Sequence, residues 1–540
     1  MDIDSFNPYP GFRAGQHESI QEIVKRALAG DHIIEYKGPT GCGKSLVLSI
    51  VARALADEGF PKTTYTTPQR SLVHQLANDK GLGIIALLGR ANYPCPKVDS
   101  NSAADCPVPA KMRRKTCPNC PYQIAKDIFL NSSLGATTLD KILVDRSIPT
   151  PDIMIIDESQ GLEMKLIEQR SIVLPEQIDL NNLEDSLADW VETIEMEKMK
   201  YETKLERMFN KIRPAGVTDD VAEFMGFVDT SEATKAAKRL VQIERVLSRA
   251  QAVLRIAQGA PGSFLVDSKT KTFKLLSGRR EFCQLVNDVK LVILASGTPC
   301  TQLLADGYSK IEAPHPVDVD RRRVYYMPCG KMNYQERDKT IDTMAETIAE
   351  LHKKHNRNTL VHCHSFVIAE KLGHAIYDYD VRCRWIDRKD REGSIKTWQE
   401  MDDVCLMSVA CEEGLDLPGE KYPLNIIAKV PFLPYKSDEW TDKRKVLDNL
   451  LPPEQRWENV SVALSIQQAC GRCTRGPSDW SETYILDSSF EWFYRRNFAL
   501  FEMWFRDALR KKSEVKDAYG AARAARLSRR GTSEEGEGER

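Results

Sequence analysis

The chain has 540 residues, 42% of them hydrophobic and 29% charged, with a formal net charge of -2. That length exceeds what one hydrophobic core supports, so several domains are expected. The near-zero charge excludes a globally basic nucleic-acid binder, and no apolar run reaches the length of a membrane span, so contact with nucleic acid must come from local basic patches.

In chain order, the opening residues MDIDSFNPYPGF are acidic and lack a basic-then-apolar leader pattern. The expectation is a protein that works inside a cell, in the cytoplasm or with DNA in a nucleoid or nucleus, is not secreted and has no membrane partner. Residues 16–29 predict an amphipathic helix with Ile20, Ile23, Val24 and Leu28 on its buried face. A short apolar strand, His32 to Tyr36, then leads through a glycine-rich turn into a helix from Ser45 to about Ala56, the start of a parallel α/β domain. Thr63 to Thr67, Ile84 to Leu88, Asp152 to Ile156 and Lys290 to Ala295 read as further strands. Between about 175 and 258 apolar residues keep helical spacing, as in Leu183, Leu187, Trp190, Val191 and Ile194, which predicts a helical insertion. A second α/β domain begins near 320, with strands at Thr359–His362, Val404–Met407 and Leu424–Ala428. The tail from about 511 has no large apolar residue after Leu527 and reads as disordered.

The turn Gly38-Pro-Thr40-Gly41-Cys-Gly43-Lys44-Ser45 fits G-x-x-x-x-G-K-[ST] in its required strand-to-helix setting. Backbone N–H groups of such a loop cradle the phosphates of ATP at a helix N-terminus, Lys44 neutralises the β- and γ-phosphates, and the Ser45 hydroxyl ligates Mg²⁺. Asp157-Glu158 follows a buried strand, so Asp157 is the candidate partner of Mg²⁺ and Glu158 the candidate base for the attacking water. Near the C-terminus, Gln468-Ala-Cys-Gly-Arg472-Cys-Thr-Arg475 places two arginines on one helical face, suited to clamp phosphate charge.

Fourteen cysteines without a secretory leader argue against disulfides. Cys283, Cys300, Cys329, Cys363, Cys383, Cys405 and Cys411 read as small buried hydrophobes. Cys95, Cys106, Cys117 and Cys120 are different, because they cluster at ligand-like spacing between the phosphate loop and the acidic pair. Four thiolates suit either a [4Fe–4S] cluster or tetrahedral Zn²⁺, and spacing alone favours zinc. Lys111, Arg113, Arg114 and Lys115 lie in the same segment, flanked by Tyr93 and Tyr122, a composition that suits a single-strand channel or a solvated loop.

Taken in this order, the motifs resemble superfamily 2 helicases, and most closely the XPD/DinG-like iron–sulfur DNA helicases. Phe12-Arg13-Ala-Gly-Gln16 is similar to the adenine-reading motif. Tyr65-Thr66-Thr67-Pro68 is similar to the DNA-contacting motif after the first helix. Asp157-Glu158-Ser159-Gln160 stands where relatives carry Asp-Glu-Ala-His, and Ser296-Gly-Thr298 where they carry Ser-Ala-Thr. Glu413-Gly414-Leu-Asp416 looks like the family's Glu-Gly-Ile-Asp segment, with Gly414 and Asp416 in the nucleotide site, and Gln468 to Arg475 matches its arginine-finger motif.

The resemblance implies two RecA-like parallel-sheet α/β motor domains, the first carrying a cysteine-rich metal-cluster insert and a helical arch. The expected boundaries are 1–90, 126–174 and 259–318 for the first motor domain, 91–125 for the cluster insert, 175–258 for the arch, 319–510 for the second motor domain and 511–540 for the tail. It also implies a [4Fe–4S] cluster in place of zinc, single-stranded and forked DNA as partners, and 5′→3′ movement. Rival readings are a DNA-stimulated translocase without processive unwinding and a non-catalytic nucleic-acid-binding scaffold.

Overall fold

The computed structural model describes residues 2–39, 41–95, 102–106, 117, 119–145, 147–210, 230–259, 262–355, 357–387, 390–409, 424–433, 438–453, 455–471 and 480–511. Thr40, Lys111, Arg113, Arg114, Lys115, Cys411, Glu413, Gly414, Asp416, Arg472, Arg475 and the tail beyond 511 lie outside these. The chain divides into two compact units. The first comprises Met1–Lys37, Lys44–Glu312 and Tyr435–Pro453, and the second Gly38–Gly43, Ala313–Pro434 and Glu454–Arg540.

The strands of the first unit are β1 (Ile33–Lys37), β2 (Thr63–Thr67), β3 (Ile85–Leu87), β4 (Leu134–Thr138), β5 (Ile153–Asp157), β6 (Ile172–Val173), β7 (Phe264–Asp267), β8 (Thr272–Leu275), β9 (Leu291–Ser296) and β10 (Ser309–Glu312). Seven of them form a parallel sheet in the order β10-β1-β9-β5-β2-β4-β3. Strands β2, β5 and β9 are buried along their whole length. Apolar runs such as Ile-Met-Ile-Ile and Leu-Val-Ile-Leu-Ala belong in such a sheet because both of its faces are covered. The helix Gln16–Leu28 buries Ile20, Ile23 and Val24 as expected, but Leu28 is exposed and Ala27 takes the core position. Leu28 is the last residue of that helix, where the buried stripe has rotated away.

The helical insertion is a pair of long helices, Leu183–Asn210 and Thr230–Gly259, packed on each other. Leu187, Trp190, Val191, Ile194, Ile243 and Leu247 bury between them, together with Phe273 of the small antiparallel sheet β6-β8-β7 at their base.

The second unit holds β11 (Arg322–Gly330), β12 (Thr359–His362), β13 (Cys383–Trp385), β14 (Cys405–Ser408), β15 (Leu424–Ile427), β16 (Ser481–Asp487) and β17 (Leu509–Lys511). They pair in parallel in the order β13-β14-β12-β15-β16-β11-β17. The helix Asp438–Asp448 lies in sequence between β15 and β16, yet groups with the first unit. There Lys443 is buried with its ammonium 3.2 Å from the Met164 sulfur. Burial raises the Glu163 carboxyl, and the nearby Lys443 charge opposes that rise.

Two cysteines depart from the expectation of small buried hydrophobes: Cys283 is exposed on the helix Arg279–Val286, and Cys329 is only partly buried. Cys300, Cys363, Cys383 and Cys405 are buried.

One close approach gives a test of the first sheet. A Cβ on Gly135, in β4, would lie 2.4 Å from the buried ring of Phe129. The ring cannot swing aside without disturbing β3 and β4, so Gly135→Ala should cost about 1–3 kcal/mol. Urea unfolding should show that loss, and an unchanged midpoint would refute the packing described.

Candidate functional site

Sheet order brings the motifs together. Strands β1, β9 and β5 are neighbours, and all three end at the same edge of the sheet. The phosphate loop leaves β1, Ser296-Gly-Thr298 leaves β9, and Asp157-Glu158 leaves β5. In parallel α/β sheets ligands bind outside the carboxyl ends of the strands.

Gly41 and Gly43 both sit at φ 83, a left-handed conformation that side chains resist and glycine permits. Cys42 between them is buried, and its N–H bonds the Pro39 carbonyl at 3.2 Å. This cysteine is therefore part of the turn. Lys44 and Ser45 open the helix Lys44–Ala56. Gln16 is buried at the start of its helix, where its Oε1 accepts the Arg13 N–H at 2.8 Å.

The acidic pair is held from several sides. The Asp157 carboxylate is buried and accepts two hydrogen bonds, from the Tyr65 phenol at 2.8 Å and from the Glu158 N–H at 2.9 Å. Burial raises the Asp157 carboxyl, and the neighbouring Glu158 charge raises it further; Lys44 and the Tyr65 bond oppose them. The Tyr65 phenol, fully buried, is pushed well above its ordinary value by burial and by Asp157.

Glu158 occupies the left-handed region at φ 52, a strained conformation for a residue with a side chain. Gln160 Nε2 donates to its Oε2 at 2.9 Å. The Ser296 hydroxyl donates to Gln160 Oε1, and the Thr298 N–H donates to Ser296 Oγ at 3.0 Å. Gln160 therefore donates to one motif and accepts from the other. A continuous chain of hydrogen bonds runs from Tyr65 through Asp157, Glu158, Gln160 and Ser296 to Thr298.

Two contributions were not visible in the sequence. The motif Tyr65 to Pro68 resembles a DNA-contacting segment, but Tyr65, Thr66 and Thr67 are buried in β2 and only Pro68 is exposed. The signal for Tyr65 was its place as the one bulky residue in Thr-Thr-Tyr-Thr-Thr. In the second unit, Gln468 is half-buried in the last turn of the helix Trp457–Cys470, while its buried neighbour Gln467 bonds the Ala463 and Leu500 carbonyls.

Cys95, Cys106 and Cys117 are buried in one cluster with Ala103, Tyr122 and Phe129, and Cys120 packs against it. The Cys120 N–H bonds the Cys117 carbonyl at 3.1 Å, closing the Cys-x-x-Cys turn. Tyr93 and Tyr122 meet edge to face at 5.5 Å inside the same segment. Leu205, Ala236 and Ala237 of the two long helices belong to this cluster too. Among the described residues, no group of three or more His, Cys, Asp or Glu side chains is assembled at metal-binding distance. Four thiols sharing one small core nevertheless fit the donor chemistry of an iron–sulfur cluster or zinc.

Residues 348–507 match the model of a helicase C-terminal domain. The fold is that of XPD helicases: one solved XPD helicase superposes with a TM-score of 0.57 at 16% identity over 93% of this chain and 100% of that one. The Xpd4 of S. tokodaii gives 0.54 at 14% identity over 92% and 99%. The likeness to XPD helicases implied by the motifs is thus present in the fold. Among curated proteins the chain is similar to regulators of telomere elongation helicase 1 from flies, 27% identical to that of Drosophila virilis over 38% of this chain and 24% of the fly protein. The Drosophila melanogaster protein gives 27% over 38% and 25%. The chain spans about a quarter of the length of these curated relatives. No helix among the described residues is long and apolar enough to cross a membrane.

The phenol–carboxylate bond has a direct test. A double-mutant cycle of Tyr65→Phe and Asp157→Asn should give a coupling energy of about 1–3 kcal/mol in unfolding, as expected for a hydrogen bond to a charged group. Strict additivity of the two variants would contradict the bond.

Proposed function

We propose that the chain is an ATP-driven helicase that translocates on single-stranded DNA, in the 5′→3′ direction, and separates duplex strands. The observation that carries this reading is the hydrogen-bonded chain from Tyr65 to Thr298, which joins the acidic pair at the end of β5 to the Ser-x-Thr turn at the end of β9. A non-catalytic scaffold has no use for a strained Glu158 and a buried, doubly bonded Asp157.

In this reading Gln16 reads adenine, and Gly38, Thr40, Gly41 and Gly43 wrap the phosphates with backbone N–H groups. Lys44 neutralises the phosphate charge, while Ser45 and Asp157 would hold Mg²⁺, whose positive charge would offset that of the phosphates. Tyr65 keeps the Asp157 carboxylate pointed at its task. Glu158 accepts a proton from the attacking water as its oxygen bonds the γ-phosphorus and the bond from that phosphorus to the bridging oxygen breaks, giving ADP and inorganic phosphate. The resemblance gives Gly414 and Asp416 a role in nucleotide binding and gives Gln468, Arg472 and Arg475 the role of an arginine-finger motif, the arginines stabilising transition-state charge. Gln160 transmits the state of Glu158 to Ser296.

Residues 91–125 form the cluster insert and 175–258 the arch within a first motor domain that otherwise spans 1–318. The second motor domain is 319–510, followed by the tail. Cys95, Cys106, Cys117 and Cys120 would hold a [4Fe–4S] cluster, with Zn²⁺ as the rival occupant. When bound, the group cross-links an insert too small to fold by its own core.

Two measurements test these proposals. Lys44→Ala should lower single-strand-stimulated ATP hydrolysis by at least about a hundredfold, the loss expected when one charge stabiliser leaves a phosphoryl-transfer site. A wild-type protein with no such hydrolysis would end the enzyme reading. Protein purified without oxygen should be brown and carry about four irons per chain. Colourless protein with stoichiometric zinc would assign the cysteines to zinc.

A further inference from the structure

Two residues mark the points where the chain leaves the first unit. Lys37 is the last residue before the stretch Gly38–Gly43, and Glu312 is the last before Ala313; both stretches group with the second unit. The two residues are also neighbours in space. Strand β10 lies at the edge of the first sheet beside β1, and Lys37 is in register with Glu312. The Lys37 ammonium is 3.4 Å from Glu312 Oε1. On its other side Lys37 is in register with Ser296, the first residue of the Ser-x-Thr turn. One lysine thus adjoins the start of the phosphate loop, the Ser-x-Thr turn and the start of the linker to the second unit.

A second carboxylate lies behind the first. Successive strand residues alternate faces, so Glu35 and Lys37 share one face of β1 at about 7 Å, within reach of a lysine side chain. Glu35 is buried, and its Oε2 has no hydrogen-bond partner among the described residues. Its in-register neighbour on β10, Lys310, instead places its ammonium 5.3 Å from the centroid of the Tyr308 ring. A buried carboxylate oxygen without a partner is costly, so a cation that reaches it is stabilised there. Burial pulls the Lys37 ammonium below its ordinary value, and the charges of Glu312 and Glu35 both oppose that pull.

The two carboxylates differ in what happens when the lysine departs. The Glu312 side chain is 56% exposed, so water hydrates it once it is left. Glu35 has no such access, and the ammonium gives it the partner it lacks. A small displacement of Glu312 is then enough to move the lysine from one to the other. The residues after Glu312 are stiff enough to pass such a displacement on. Pro314 and Pro316 have fixed φ, and the Val317 N–H bonds His315 Nδ1 at 3.1 Å.

We infer that Lys37 is a two-position latch: it holds Glu312 and the start of the linker, and Glu35 receives it when the linker shifts. Lys37 is then a positioning residue, because the strand end that carries the phosphate loop changes its contacts as the linker moves. The inference rests on the reading of the chain as an ATP-driven motor and adds to it a contact between the linker and the nucleotide loop.

The test follows amide hydrogen exchange over residues 308–320 in the full chain. Glu312→Gln and Lys37→Met should each speed that exchange about threefold, the size expected from losing one partly exposed ion pair. Glu35→Gln leaves the lysine a single carboxylate and should slow it. Lys37→Arg keeps both pairings and should exchange as the wild type does. On a forked duplex, Lys37→Met should keep the KM for ATP but hydrolyse about threefold more ATP per strand displaced. Unchanged exchange in Glu312→Gln would overturn the latch. Faster exchange in Glu35→Gln would overturn it too, by making Glu35 a support of the strand and not a second seat for the lysine. A wild-type protein that hydrolyses no ATP would remove the motor reading, and the exchange rates would still decide the latch.

Discussion

The site depends on how a buried carboxylate is kept usable. Asp157 ends a strand buried along its whole length, and burial beside Glu158 favours the protonated form. Left alone, such a group would neutralise and lose the charge that its proposed role toward Mg²⁺ requires. Three neighbours resist that: Lys44 by charge, the Tyr65 phenol by a 2.8 Å bond, and the Glu158 N–H at 2.9 Å. The last of these comes from the residue held at φ 52, so the backbone turn that aims Glu158 also braces Asp157. Sheet order supplies the rest, because β2, β5, β9 and β1 lie side by side and bring Tyr65, the acidic pair, Ser296 and the phosphate loop to one edge.

Gln160 shows why a motif departure need not break a mechanism. Relatives are expected to carry histidine there, a ring that can donate from one atom and accept at another. A primary amide does the same through Nε2 and Oε1, and here those atoms are engaged by Glu158 and Ser296 respectively. What the amide lacks is a titrating proton, so this link carries no pH switch of its own. The long helices extend the same logic of shared contacts. Leu205, Ala236 and Ala237 lie in the core that contains the cysteines, so the insert and the helical pair are folded partly by each other.

Much of this was legible because buried parallel strands leave an unmistakable trace. Ile153–Asp157 and Leu291–Ser296 lie within a residue of the expected strands, and the phosphate loop lies where its glycines require. Other elements were hidden for physical reasons. Leu134–Thr138 contains a glycine needed for the Phe129 ring and reads too small for a strand. Arg322–Gly330 begins with charged residues because it lies near the edge of its sheet. The placement of Asp438–Asp448 with the first unit depends on a buried Lys443, and nothing in local periodicity announces where a lysine will be buried. The bond from Tyr65 to Asp157 has no trace in the motif because the two residues lie far apart in sequence.

The central claim of the proposed function is that Gln160 couples ATP hydrolysis at Asp157-Glu158 to strand movement through Ser296. The most direct measurement compares, for wild type and Gln160→Ala, the ATP hydrolysed per strand displaced from a forked duplex. The account predicts that the variant still hydrolyses ATP but displaces fewer strands per ATP, since Glu158 remains and its connection to Ser296 is gone. An unchanged ratio, with both activities kept or both lost in proportion, would contradict it.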